Sequence, residues 1–134
     1  CVAPLGLENG KIKDKAITSS SDWSSNYKAS LGRLNLVATK SKAGAWSARH
    51  NDKGQYLQVD FGRMVEVRRV ATQGRQDSSQ WVTSYKLEYS KDGNTFERYH
   101  NNKVMFKLLL ENNLYSTCVL IGQQLCFYSA VKKT

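Results

Sequence analysis

The sequence predicts an all-β fold, built as an antiparallel sandwich or barrel. Short segments that alternate apolar and polar residues recur between residues 56 and 100, as strands do when they bury one face. Asp92-Gly93 joins two of these segments, and this pair is a strong hairpin signal because glycine adopts positive φ without a Cβ clash. No long segment has the 3.6-residue period of a helix. Short strands at this spacing favour a sandwich or barrel.

Four segments have strand character: YLQVDF (56–61), VEVRRVAT (65–72), VTSYKLEYS (82–90) and TFERYH (95–100). In the first, Leu57, Val59 and Phe61 share one face and are predicted to point inward. The second is rich in β-branched residues, which are typical of strands. In the third, the odd-numbered residues from Tyr85 to Tyr89 are predicted to point inward.

A long connection with little periodicity precedes the first clear strand, between Thr18 and Tyr56. Connections of this length in a compact domain are usually functional or disordered, and the large apolar residues along this one argue against disorder. We expect Leu34 and Trp46 to enter the core. Trp23 lies among serine, aspartate and asparagine residues, and we expect it at the surface because such a neighbourhood is costly to bury.

A second isolated tryptophan, Trp81, ends the polar stretch QGRQDSSQ. It is either a ligand contact at the exit of a loop or the first inward residue of the next strand. Its parity matches that of Tyr85 and Leu87, so we expect it to be at least partly buried.

The composition limits the classes of function. A chain of 134 residues is expected to form one domain with its own core. The net charge of +9 favours anionic partners such as acidic lipid, sulfated glycans or acidic proteins, although solubility alone also explains it. The cations form no block and no nucleic-acid-binding motif occurs, so nucleic acid is not an expected partner. No apolar run could span a bilayer, and because the chain does not begin with Met we expect an excised or processed piece.

Catalytic and metal sites are not predicted. The three cysteines are an odd number, so two could pair and leave one over as an intermolecular or free thiol, and their spacings match no zinc motif. His50 and His100 are single, with no patterned nucleophile partner. No phosphate-binding, dinucleotide or metalloprotease motif occurs. We therefore expect no enzymatic activity, no catalytic residues, no cofactor and no metal.

Several short motifs follow one another in a fixed order along residues 1–100. They are Cys1-x-x-Pro4-Leu5-Gly6-Leu7, Ile17-Thr18-Ser19-Ser20, Arg33-Leu34-Asn35, Gly44-Ala45-Trp46, QYLQVDF (55–61), Thr72-Gln73-Gly74-Arg75, WVTSY (81–85) and Tyr89-Ser90-x-Asp92-Gly93. In this order they resemble the discoidin domain, also called the coagulation-factor type C domain. The stretch 70–93 is most similar to discoidin domains of contactin-associated adhesion proteins, and the opening to those of blood factors and milk-fat-globule proteins.

The resemblance implies a galactose-binding-like, jelly-roll β-sandwich that carries its ligand site on three loops at one end. By position these are a first loop at residues 21–30, a second at 35–43 and a third at 74–81. Family members use such loops to bind anionic phospholipid in some cases, and collagen, other proteins or glycans in others. The residues placed in the ligand-binding loops are Trp23, Tyr27, Lys28, Leu36, Val37, Lys40, Arg75 and Trp81.

After Asn102 the chain departs from the family pattern. We therefore divide it into a discoidin-like core at 1–106 and an atypical segment at 107–134 that lacks the family's usual last strands. This segment either fills the gap in the sandwich, through Leu108–Leu110 and Cys118–Ile121, or stays loose. A complete discoidin domain ends in a cysteine that pairs with the first, and here that partner is missing. The disulfide candidates are Cys1, Cys118 and Cys126.

The resemblance favours a non-catalytic extracellular adhesion module, secreted or part of an ectodomain, that binds a cell-surface or matrix protein or glycan. Peripheral binding to anionic phospholipid such as phosphatidylserine is one alternative: Trp23, with Leu36 and Val37 if they tip the second loop, would enter the head groups while nearby cations meet the surface. Lectin-like glycan binding is another, supported by the fold's relatives alone. The cations beside the loops are Lys28, Arg33, Lys40, Lys42 and Arg75. Of these, Arg75 is the one expected to be structural, for example as a bridge between loops.

Overall fold

The computed structural model of the chain describes residues 3–65, 67, 70–99, 115–122, 126–128 and 131–132. Within these ranges the strands are β1 (Ala3–Pro4), β2 (Ile17–Ser19), β3 (Tyr56–Val65), β4 (Ala71–Gln73), β5 (Tyr85–Ser90), β6 (Glu97–Arg98), β7 (Tyr115–Gly122), β8 (Cys126–Tyr128) and β9 (Val131–Lys132). Single turns of 3₁₀-helix occupy Asp14–Ala16, Ser25–Tyr27 and Ala29–Leu31. No helix in this part of the chain is long and apolar enough to cross a membrane. The all-β prediction is confirmed.

Five strands form the main sheet in the order β2-β3-β7-β5-β6, and two smaller sheets pair β4 with β8 and β1 with β9. β3 and β5 both run antiparallel to β7, with Tyr56 opposite Ile121 and Tyr85 opposite Gly122, so both begin at the same end of the sheet. β2 finishes at that end too, because its last residue lies opposite Leu57. Residues 20–55 and 74–84 therefore meet at one end, which we call the loop end.

The core packs against β3 and β5. Leu57 and Val59 are buried from the first of these strands and Leu87 from the second, as the alternation predicts. Trp46 is 1% exposed and fills the space beneath the loop end. Leu34 is only half-buried, contrary to expectation, because the chain turns outward at the next residue to form the second loop.

The segment predicted as the second strand is not one strand. Its first residue, Val65, ends β3, and β4 begins only at Ala71. Val65, Val67 and Val70 are all buried, a spacing of two and then three that breaks strand alternation. The valines of this segment are therefore buried whether or not they lie in a strand: Val65 ends β3, whereas Val67 and Val70 lie between β3 and β4.

The C-terminal segment supplies the centre of the main sheet. β7 pairs with β3 on one side and β5 on the other, so Cys118–Ile121 fill the gap in the way that one of the two alternatives expected. Leu108–Leu110 and the proposed boundary after residue 106 lie outside the described residues, and the division of the chain stays a prediction. Cys118 lies in β7 of the main sheet, and Cys126 in β8 lies opposite Gln73 of β4. Cys1 also lies outside the described residues, so disulfide pairing stays a prediction.

The predicted hairpin joins β5 and β6. Glu88 lies opposite Arg98 and Tyr89 opposite Glu97, and Gly93 has a φ of 78° in the turn. Oδ1 of Asp92 accepts hydrogen bonds from the backbone N–H groups of Asn94 and Thr95, both at 2.8 Å, and from the Ser90 hydroxyl at 2.8 Å. These bonds, the one from Thr95 first, hold the pKa of the Asp92 carboxyl well below its ordinary value of 3.8.

The stability that Asp92 contributes is expected to depend on pH. Because folding lowers its pKa, the contribution is fully present above the unfolded-state pKa and is lost as pH falls through the folded-state value. We expect Asp92→Asn to lower the unfolding temperature at neutral pH, and the gap between variant and parent to close as pH falls below 3.8. Thermal unfolding followed by circular dichroism across this range measures the gap. A gap that stays constant with pH would contradict the assignment.

Candidate functional site

One carboxylate fixes the first loop to the core. Oδ1 of Asp22 accepts hydrogen bonds from the indole N–H of Trp46 at 3.0 Å, the backbone N–H of Ala29 at 3.0 Å and the hydroxyl of Ser19 at 2.7 Å. The indole also donates to the carbonyl of Ser21 at 3.1 Å. Because Trp46 is buried, its N–H depends on these acceptors. The first loop therefore begins and ends at a point set by the core.

The backbone of Trp23 is held while its side chain faces solvent. Its N–H donates to the Ser47 carbonyl at 2.8 Å, and the Ser47 N–H donates to the Tyr27 carbonyl at 3.2 Å. The Trp23 side chain is 61% exposed, so its predicted exposure is confirmed. Tyr27 is half-buried beside it, and Lys28 is exposed.

The second loop leaves the core at Asn35, whose φ is 56°. Asparagine tolerates this left-handed conformation better than most residues. At the other end of the loop, a Cβ on Gly44 would lie 2.2 Å from the carbonyl oxygen of Leu36, so this close backbone approach requires glycine. Leu36 is half-buried and Val37 is 64% exposed. The pair therefore divides between the two roles that the sequence allowed, with Leu36 partly buried and Val37 exposed.

The third loop closes on itself and is stiffened by Arg75. The backbone N–H of Arg75 donates to the Gln80 carbonyl at 2.8 Å. Its guanidinium donates to the two carboxylate oxygens of Asp77 at 2.6 and 3.0 Å and to Oε1 of Gln80 at 3.0 Å. The hydrogen bonds between them raise the pKa of Arg75 and lower the pKa of Asp77.

Contacts between the loops join them into one surface. The Ala43 N–H donates to the Asn26 carbonyl at 2.9 Å, which ties the second loop to the first. The Ala38 N–H donates to Oε1 of Gln76 at 3.3 Å, which ties the second loop to the third. The Arg75 guanidinium lies 5.1 Å from the centre of the Tyr27 ring, a cation–π contact between the third loop and the first. Arg75 therefore bridges loops, as the sequence suggested.

The expected burial of Trp81 is wrong, since its side chain is 62% exposed. Strand parity applies only within a strand, and β5 begins only at Tyr85. Residues 81–84 come before the strand and are not paired in the sheet. Among them, Val82 packs against the core instead of Trp81. Trp81 thus stands at the exit of the third loop, next to Gln80, which closes it.

Arg33 is not available as a surface cation, although the sequence placed it among those beside the loops. It is 8% exposed and donates to the backbone carbonyls of Leu7, Ile12 and Ser30 and to the carboxylate of Asp14 at 2.7 Å. The guanidinium thus fastens the N-terminal segment to the start of the second loop. Of the cations that the sequence placed beside the loops, Lys28, Lys40 and Lys42 are exposed.

Neither a metal centre nor a catalytic cluster emerges from the part of the chain that the structure describes. No three His, Cys, Asp or Glu side chains there could hold a metal ion. His50 is exposed, and His100 lies outside the described residues. Sequence reasoning missed the anchoring role of Asp22 and the glutamines that link the loops, Gln73 and Gln76. Gln73 lies in one of the family motifs, but the sequence does not reveal what either glutamine contacts, because their partners lie 38 residues away.

Comparison with known proteins finds a family match that includes the loop end. Residues 16–117 match the family model of the F5/8 type C domain. The chain is 37% identical over 119 residues to coagulation factor V of Mus musculus, covering 84% of this chain and 5% of that protein. It is 39% identical over 124 residues to lactadherin of Rattus norvegicus, covering 84% of this chain and 28% of that protein. It thus spans only a small part of these relatives.

The fold is likewise that of a solved structure. The recombinant discoidin II of Dictyostelium discoideum superposes with a TM-score of 0.80 at 21% sequence identity, covering 100% of this chain and 60% of that one. This likeness supports the galactose-binding-like sandwich that the sequence resemblance implied.

Removing the Asp22 carboxylate is expected to loosen the loop end and the core together. In Asp22→Ala, the Trp46 indole and the Ala29 N–H lose an acceptor away from bulk water, which costs about 2–3 kcal/mol of unfolding free energy. Asp22→Asn keeps one carbonyl acceptor and is expected to cost less than half as much. Chemical denaturation measures both, and equal losses in the two variants would contradict the acceptor role.

Replacing Arg75 by Lys is expected to free the third loop without unfolding the domain. Lysine cannot donate in a fork to Asp77 while lying over Tyr27. Losing a cation–π contact of roughly 1 kcal/mol corresponds to about a fivefold faster local opening. Amide hydrogen exchange at Arg75 and Gln80 measures this, with Arg49→Lys at an exposed arginine as the matched control. Unchanged exchange would show that Arg75 does not hold the loop.

Proposed function

This chain belongs to the F5/8 type C domain family, and from that premise we propose that it is a non-catalytic extracellular module whose loop end docks on membranes containing anionic phospholipid. The observation that carries the proposal is that each of the three joined loops exposes one large apolar side chain. These are Trp23, Val37 and Trp81, which are 61%, 64% and 62% exposed. Exposed apolar groups gathered in one region mark an interaction surface.

The geometry suits an interface between water and lipid. The loops are fixed at their bases by Asp22, Gly44 and Arg75, so the apolar tips need little ordering on binding. Tryptophan favours the head-group level, because its ring is apolar and its N–H can still find a partner. Lys28, Lys40 and Lys42 lie in the same loops, and each adds about 1 kcal/mol near an anionic surface.

A protein partner at the loop end, which the sequence favoured first, remains a prediction. Such a partner would use a tryptophan anchor together with an available arginine or carboxylate. Here the guanidinium of Arg75 is already engaged by Asp77 in its own loop. Glycan binding at the loop end would call for a concave site with convergent polar groups, whereas what these loops present is apolar tips. The lipid proposal accounts for those tips directly.

Loss of either tryptophan is expected to weaken membrane binding. Inserting an apolar side chain of this size contributes roughly 1.5–3 kcal/mol, so Trp23→Ala and Trp81→Ala should each lower the partition coefficient about tenfold or more. The measurement is co-sedimentation with phosphatidylserine vesicles against phosphatidylcholine vesicles at physiological salt. Met64→Ala is the matched control, because Met64 is 41% exposed at the far end of β3.

The same sample reports which residues enter the lipid. Brominated acyl chains should quench the fluorescence of Trp23 and Trp81 while the buried Trp46 stays bright. Selective binding that survives both tryptophan substitutions but disappears at high salt would leave only charge attraction. No binding by folded protein would overturn the proposal and direct the search to protein and glycan ligands.

A further inference from the structure

We propose that a second site, a basic cavity at the end of the sandwich opposite the loop end, binds sulfated glycan chains. The cavity has a volume of about 560 Å³ and is lined by residues of the segment before β2 and of the end of β3. Ile17 opens β2 opposite Val59, so residues 11–16 and 60–65 continue away from the loop end. We call this the basal cavity.

Alternate lysines form one wall of the basal cavity. Lys11, Lys13 and Lys15 all line it and all are exposed. The residues between them turn elsewhere: Ile12 packs against the core, and Asp14 accepts a hydrogen bond from Arg33 at 2.7 Å. Lys15 lies within the 3₁₀-helical turn Asp14–Ala16 and Lys13 directly precedes it, so the lysines approach the cavity from a bent segment. Together they gather positive charge on one wall, which suits a polymer with repeated anionic groups.

The charges around the basal cavity favour anions. Arg63 lines it together with the three lysines, and Asp60 is the one carboxylate among the lining residues. Oδ1 of that aspartate already accepts the Gly62 N–H at 2.7 Å. None of the four cations forms an ion pair with another residue in the described ranges. They are therefore available to sulfate groups, which stay ionised at neutral pH.

The floor of the basal cavity is apolar. Leu5, Ile12 and Phe61 line it and pack against the core from outside. A sugar ring offers an apolar face together with charged substituents, so it can lie on such a floor while its sulfates reach the rim. The concave shape does not match the flat surface of a bilayer, and an aromatic ring on the floor is not a platform for successive bases. Clusters of lysine and arginine are a common feature of heparin-binding sites in other proteins.

The test compares two triple variants that remove the same charge from opposite ends. Lys11→Gln/Lys13→Gln/Lys15→Gln alters the basal cavity, and Lys28→Gln/Lys40→Gln/Lys42→Gln alters the loop end. The probe is a size-defined heparin oligosaccharide, titrated calorimetrically at physiological ionic strength, with its desulfated form as a second probe. We expect the basal variant to lose roughly tenfold or more in affinity and the loop-end variant to lose less than about twofold. The desulfated probe should not bind.

Location and independence are measured in parallel. Hydrogen exchange should slow in residues 11–16 and 60–65 on binding, and not in the second loop. Phosphatidylserine vesicle binding should survive in the basal variant, so failure here and failure of the membrane proposal are distinguishable. Equal losses in both triple variants, no binding by the folded parent, or competition by single-stranded nucleic acid as strong as by the oligosaccharide would overturn the proposal. The proposal would also be overturned if the basal variant lost vesicle binding but kept oligosaccharide binding.

Discussion

The loop end depends on how the protein satisfies one buried indole N–H. Trp46 fills the space beneath the loops. Burying its N–H without an acceptor would cost more free energy than most single interactions contribute to stability. Asp22 supplies an acceptor beside the Ser21 carbonyl, and the same carboxylate oxygen accepts hydrogen bonds from Ser19 at the end of β2 and from Ala29 at the end of the first loop. One constraint therefore fixes the course of the loop, which leaves Trp23 outside. The proposed binding surface, with its exposed side chains, is thus built on a core requirement.

Arginine and lysine divide the positive charge between structure and surface. Arg33 and Arg75 each use several donors at once, to backbone carbonyls in the first case and to a carboxylate and an amide in the second. The planar guanidinium spreads five donors over three nitrogens in a fixed fork, whereas an ammonium has three donors on one nitrogen and cannot match this geometry. The lysines of the loop end and of the basal cavity carry their charge on exposed side chains. The net charge of +9 therefore does not measure the binding surface, because part of it is committed inside the fold.

Local features could be predicted from the sequence because local forces decide them. The alternation in β3 placed Leu57 and Val59 inside, and Asp92-Gly93 marked the hairpin because few residues other than glycine adopt positive φ in such a turn. The order of short motifs identified the family and hence the end of the sandwich that carries the loops. Even the exposure of Trp23 followed from its polar neighbours. These inferences needed no knowledge of distant contacts.

Tertiary structure decided whatever depends on which segments meet. Trp81 is exposed because pairing with β7 begins at Tyr85 and not earlier, and parity has no meaning before a strand starts. Arg33 is buried because the fold brings it against the carbonyls of Leu7 and Ile12, which lie 26 and 21 residues away in sequence. The basal cavity exists because antiparallel pairing of β2 with β3 carries Arg63 alongside the three lysines. Sequence alone determined the family, the all-β class and the turn. The bounds of several strands and the candidate sites followed from long-range pairing, since hydrogen bonds and charges act between neighbours in space.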